Sequence, residues 1–113
     1  CKIIKAFRVK DKSSLSRLSD YHEAVDYYLF DAFSPVGLGG TGKRFNWELI
    51  KMAKIDKPFF ISGGLTSKNV VSAIKALNPD WVDVSSGVEK SSGIKDKKKM
   101  RNFINKVKSF SYR

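Results

Sequence analysis

The sequence is short of acid, of sulfur and of imidazole: it holds one cysteine, one histidine and 11 acidic residues against 22 lysines and arginines. A single cysteine excludes an internal disulfide framework and fits a reducing, cytoplasmic setting. The lone His22 falls at the end of a helical segment, and no second His or Cys is spaced to complete a metal site with it, so no metal is expected. No run of 18 apolar residues is present, which excludes a membrane-spanning helix, and Lys5 and Arg8 interrupt the first apolar stretch, so no signal peptide is expected there. What remains is the composition of a soluble globular domain, with 42% hydrophobic residues.

The net charge of +11 would suit nucleic acid, an anionic membrane surface or an anionic substrate. Its distribution argues for a solvated surface instead. Lysines recur through every helical segment, and the densest run, Lys95-Asp96-Lys97-Lys98-Lys99, opens a helix with an apolar stripe of Met100, Phe103, Ile104, Val107 and Phe110. Aromatic residues are not interleaved with these charges as they would be on a base-stacking platform. Neither a nucleic-acid nor a membrane partner is expected.

Periodicity yields four strand-then-helix units without a linker, and residues 1–113 are read as a single domain. The strands are Ile3 to Val9, Val25 to Ala32, Phe59 to Leu65 and Trp81 to Val84. Ser13 and Ser14 offer an N-cap to the first helix, which carries Leu15, Leu18 and Tyr21. A second helix from about Asn46 turns Leu49, Ile50 and Ala53 inward, and a third, capped by Thr66 or Ser67, turns in Val70, Val71, Ile74 and Leu77. This alternation implies an α/β fold with parallel strands. Tyr27-Tyr28-Leu29-Phe30 and Phe59-Phe60-Ile61 are apolar on consecutive residues, so the sheet is expected to be covered on both faces. Four units could make a flavodoxin-like sheet, but half of a (β/α)8 barrel fits two neighbouring strands that both end in Gly/Ser clusters. A closed barrel needs at least ~200 residues, and the chain opens on Cys1 and enters a strand at once. A fragment is therefore expected.

The chemistry concentrates at strand ends. Ser62-Gly63-Gly64 and Ser85-Ser86-Gly87 follow successive apolar strands, and glycine lets backbone N–H groups close on an anion while serine adds hydroxyl donors. Either cluster alone reads as a tight turn; together they indicate a phosphate cup, hence a phosphorylated small-molecule substrate. Gly37-Leu38-Gly39-Gly40-Thr41-Gly42-Lys43 looks like a P-loop but fails at Arg44, where Ser or Thr is required. It reads better as an active-site loop in which Lys43 could meet an anionic substrate. Asp31, at the end of an apolar strand, is either a general acid or the cap of the following turn. Asp83 either faces the barrel mouth or forms a structural ion pair, with Lys5 as a candidate. Cys1 precedes its strand, away from the ends where barrel chemistry occurs, so no nucleophilic role is expected of it.

Three stretches carry a family resemblance: Asp31 to Trp47, Ile61-Ser62-Gly63-Gly64-Leu65, and Val82-Asp83-Val84-Ser85-Ser86-Gly87-Val88-Glu89. In order and spacing they resemble the C-terminal half of phosphoribosylanthranilate isomerase, over essentially the whole chain. The resemblance implies strands five to eight of a (β/α)8 barrel and a cofactor-free Amadori rearrangement of an aminoaldose phosphate in tryptophan biosynthesis. Asp31 would be the general acid that protonates the ribose ring oxygen. Gly63, Gly64, Ser85, Ser86 and Gly87 would hold the phosphate, and Asp83 would line the anthranilate side.

The family's base is a cysteine at the end of its first strand, and an arginine of the second unit binds the anthranilate carboxylate; neither segment is in this sequence. The chain alone is therefore expected to be inactive, and to self-associate or pair with an N-terminal half-barrel. A non-catalytic phosphate-binding half-barrel and a basic nucleic-acid module are the alternatives.

Overall fold

The structure, a computed structural model, describes residues 1–33 and 46–111. The Gly37-to-Lys43 loop and its Lys43 lie outside the described residues. Four strands, β1 (Ile4–Arg8), β2 (Tyr27–Asp31), β3 (Phe59–Ser62) and β4 (Trp81–Val82), form one parallel sheet in the order β1-β2-β3-β4. Strictly sequential order is what a barrel wall requires. A flavodoxin-like sheet reverses direction part-way and places helices on both faces.

Here the helices share one face. Each right-handed crossover of a sequential sheet returns on the same side, so α1 (Leu18–Tyr21), α2 (Trp47–Met52), α3 (Val70–Leu77) and α4 (Lys97–Ser111) all feed one core. Phe7, Tyr28, Phe30 and Ile61 from the strands, and Val9 just past β1, meet Leu18, Ile50, Val70, Ala73 and Phe103 from the helices. Burying each large apolar side chain contributes about 1.5–3 kcal/mol. The Tyr28 hydroxyl stays inside by donating to the Leu18 carbonyl at 3.0 Å. Burial, and then the charge of Asp56, push that phenol above its ordinary pKa.

The opposite face corrects the expectation of a sheet covered on both sides. Ile4, Ala6 and Trp81 are exposed there, and Tyr27, Leu29 and Phe60 are half-buried. Tyr27, Phe60 and Trp81 pack on one another there, with Phe60 stacked on Trp81 at 4.6 Å and Tyr27 edge-on to it at 5.2 Å. The apolar residues of both faces are present in the strands, but every described helix lies on the other side.

Local capping differs in detail from expectation. Asp11, not Ser13 or Ser14, caps a 3-10 turn over Lys12–Leu15: its Oδ1 accepts the Ser13 N–H at 2.9 Å and the Ser14 N–H at 3.2 Å, while Ser14 Oγ accepts the Asp11 N–H. Thr66 does start the third helical segment. Its Oγ1 accepts the Lys68 N–H at 3.1 Å, and Asn69 Oδ1 returns a bond from the Thr66 N–H at 2.8 Å, one turn ahead of regular α3.

The last unit holds a hairpin that periodicity did not reveal. β5 (Glu89–Ser91) and β6 (Ile94–Lys95) pair antiparallel around Gly93, whose φ is 79°. Lys95 belongs to this hairpin, and α4 begins after Asp96, whose Oδ1 accepts the Lys99 N–H at 2.9 Å. That carboxylate, held below its ordinary pKa by the bond, offsets three lysines in a helical first turn that disfavours them.

Candidate functional site

Register decides which side chains reach the open face together. Ala6, Leu29, Phe60 and Trp81 are cross-strand partners in one apolar layer. Two residues further along each strand, Arg8, Asp31 and Ser62 are partners in the next layer. Asp83 extends that layer, since its N–H continues the ladder to the Ile61 carbonyl at 2.8 Å. The floor is thus apolar and the rim is charged, at the C-terminal ends of parallel strands, where barrel sites lie.

A cleft of about 710 Å³ opens on that rim, lined by Arg8, Lys10, Asp31, Phe33, Ser62 to Leu65 and Asp83 to Gly87. All seven candidate site residues, Asp31, Gly63, Gly64, Asp83, Ser85, Ser86 and Gly87, line it. Gly63 and Gly64 turn the chain away from β3 with φ of 97° and 66°, values that favour glycine. A side chain at Gly63 would run into Asp31 Oδ1 and into the backbone nitrogens of Ala32 and Phe33, so this glycine lets the two strand ends approach. A side chain at Gly87 would overlap the Leu65 carbonyl. The two Gly/Ser loops are therefore packed directly against each other.

Asp31 is half-buried, and its Oδ1 accepts the Phe33 N–H at 3.2 Å. That bond is the turn cap that sequence offered as one alternative, and it coexists with a place on the cleft wall. Asn46 braces the same corner: its N–H donates to the Ala32 carbonyl at 2.8 Å and its Nδ2 to the Val9 carbonyl, tying the start of α2 to the ends of β1 and β2. Asp83 is exposed in the cleft. The suggested pair with Lys5 is not formed, because Lys5 stands on the opposite edge strand with its ammonium 4.7 Å from the Tyr21 ring centre.

Arg8 and Lys10 are the charged cleft residues that sequence reasoning missed. The signal for Arg8 was the period of two along β1, Ala6-Arg8, which places it on the open face; Lys10 lies past the strand's end, and only the register with Asp31 makes that face the cleft. His22 Nε2 lies 3.0 Å from Asp56 Oδ2, away from the cleft. Among the described residues no cluster of three or more His, Cys, Asp or Glu is placed to hold a metal ion, and no helix is long and apolar enough to cross a membrane.

Comparison with known proteins gives a consistent answer. The family model for N-(5'-phosphoribosyl)anthranilate (PRA) isomerase matches residues 1–106. The N-(5'-phosphoribosyl)anthranilate isomerase of Geotalea uraniireducens is 50% identical over 107 residues, which are 95% of this chain and 52% of that protein. The crystal structure of phosphoribosyl anthranilate isomerase from Thermotoga maritima superposes with a TM-score of 0.76 at 38% identity, over 94% of this chain and 51% of that one. A further such isomerase, in complex with reduced 1-(o-carboxyphenylamino)-1-deoxyribulose 5-phosphate, gives 0.72 at 34% identity over 94% and 48%. The chain spans about half the length of the relatives it matches. With four sequential parallel βα units and a cleft at their C-terminal ends, it belongs to the phosphoribosylanthranilate isomerase family.

Proposed function

We propose that this chain supplies the general acid and the phosphate cup of a phosphoribosylanthranilate isomerase, an intramolecular aldose–ketose isomerase of tryptophan biosynthesis working in the cytoplasm without a cofactor. The observation that carries the reading is the meeting of Asp31 with both Gly/Ser loops in one cleft. The relative solved with a reduced aminoketose phosphate names a ligand of fitting chemistry: a phosphate at one end, an anthranilate at the other.

In this reading the phosphate sits between Gly63-Gly64 and Ser85-Ser86-Gly87. Asp31 gives its proton to the ribose ring oxygen as the C1–O bond breaks, leaving a Schiff base to the anthranilate nitrogen. Loss of the C2 proton to a base then gives an enolamine, and tautomerisation gives the aminoketose. By the family resemblance that base is a cysteine from a segment this sequence does not contain. Asp83 lines the anthranilate side, and Arg8 offers a cation in the same layer as Asp31.

The same reading names the partner. The apolar layer Ala6-Leu29-Phe60-Trp81 and the edges of β1 and β4 are matched by four further βα units, an N-terminal half-barrel, or by a second copy of this chain. Residues 1–113 act in it as one domain. The phosphate cup is tested by amide NMR of the chain titrated with inorganic phosphate against chloride at equal ionic strength. Phosphate-specific shifts at Gly63, Gly64, Ser86 and Gly87 are expected; shifts confined to the lysines of α4 would refute the cup.

A further inference from the structure

The Ser85-Ser86-Gly87 loop rests on a support that the isomerase reading does not use. After this loop the chain runs through the β5–β6 hairpin and brings Lys95 back against it. The Lys95 ammonium donates to the Ser85 carbonyl at 3.1 Å and to Ser85 Oγ at 3.5 Å, and lies 2.7 Å from Glu89 Oε2. Glu89 is itself held: Oε1 accepts the Gly93 N–H at 3.4 Å, and its carbonyl accepts from Lys99 Nζ at 2.9 Å. The Asp96 N–H donates to the Val88 carbonyl at 2.8 Å, clamping the hairpin's return strand to the loop's far end. The Glu89 side chain is only 14% exposed.

We propose that Lys95, held by Glu89, is a positioning residue for the anion-binding loop, fixing the Ser85–Ser86 peptide and aiming the Ser85 hydroxyl hydrogen at the cleft. Two features of the geometry do this. In a trans peptide the C=O and the following N–H point opposite ways, so a Ser85 carbonyl tied to Lys95 turns the Ser86 N–H to the other side. Ser85 and Ser86 line the cleft and Lys95 does not, so that other side is the cleft. An ammonium has only hydrogens to give; placed against Ser85 Oγ it takes a lone pair and leaves the serine's own hydrogen for an acceptor. Because Glu89 balances its charge at 2.7 Å, the lysine acts by direction more than by field.

This inference rests on the cleft's taking a phosphate group, and the test separates the two. Phosphate affinity by amide NMR, and hydrogen exchange of Ser86 to Val88 without phosphate, are measured for the chain and for Lys95→Met, Lys95→Arg and Lys97→Met. Lys97 opens α4, past the hairpin, and gives the same loss of charge. Lys95→Met is expected to weaken phosphate about tenfold or more, as loss of a charge-assisted hydrogen bond does, with faster exchange confined to the loop. Lys95→Arg recovers most of the affinity, and Lys97→Met stays within about twofold, its charge being screened. Undiminished affinity in Lys95→Met, or an equal loss in Lys97→Met, overturns the positioning role. If the unaltered chain shows no phosphate shifts, the phosphate reading and the positioning role that rests on it both fail; phosphate shifts with undiminished affinity in Lys95→Met overturn the positioning role alone.

Discussion

At the scale of single residues, the glycines of this chain do different work, and substitution separates them. Gly93 has a φ of 79° and nothing within 4 Å of a would-be Cβ, so Gly93→Ala incurs only the strain of the left-handed region, about 1 kcal/mol. Gly63 has a φ of 97° and also abuts Asp31 and the backbone of Ala32 and Phe33. Gly63→Ala is expected to cost roughly 2–4 kcal/mol, the same strain plus overpacking against backbone. Urea midpoints of the two variants check the order; equal losses would mean the β2 and β3 ends move apart freely. Asn46→Ala leaves the buried Val9 carbonyl without its partner and is expected to cost about 1–3 kcal/mol, read in the same way. Of these residues Gly63 and Asp31 were legible in the sequence, because small or acidic residues directly after an unbroken apolar run are conspicuous, whereas Gly93 follows a polar stretch and was not. Arg8 and Lys10 were not: a charge at a strand end has no meaning until register shows what stands beside it.

At the scale of elements, the four strands were legible to within a few residues, since each is a largely apolar stretch that runs into polar or small residues. The β5–β6 hairpin was hidden because its strands are short and polar, and Lys95 was absorbed into the lysine run that opens α4. Ser92-Gly93, a two-residue turn signal, was the clue available. The hairpin carries a pH dependence. The Lys95 ammonium, bonded to Glu89, holds that carboxyl below its ordinary value of 4.5 against a smaller opposing effect of burial, with the Gly93 N–H adding to the lowering. A carboxyl whose folded pKa is lowered contributes stability above its unfolded value and loses it as pH falls through the folded one. Amide exchange of residues 86–95 is therefore expected to rise as pH drops below about 4.5, relative to the intrinsic rate. Glu89→Gln should show the rise already at neutral pH; a flat profile in the unaltered chain would show that the pair holds nothing in place.

At the scale of the whole molecule, the strands are apolar on both faces as the sequence indicates, but the cover expected on both is present on one only. An open layer of Ala6, Leu29, Phe60 and Trp81, with the edges of β1 and β4 unpaired among the described residues, is the kind of surface that drives association. A charge of +11 opposes it, but salt screens exposed lysines within ~10 Å at 0.1 M. Sedimentation should therefore show a dimer or larger assembly that strengthens with salt, whereas a folded monomer throughout would mean that the open face is covered in some other way. The central claim, that these residues hold the acid and the phosphate while the base comes from the other half-barrel, is tested most directly by turnover of N-(5'-phosphoribosyl)anthranilate. The chain alone is expected to give none, and the chain mixed with the N-terminal half of a relative such as the Geotalea enzyme is expected to isomerise it. In that mixture Asp31→Asn should lose about 10²–10⁴-fold in rate, the usual contribution of a general acid. Turnover by the chain alone, or an Asp31→Asn mixture as fast as the unaltered one, would contradict the account.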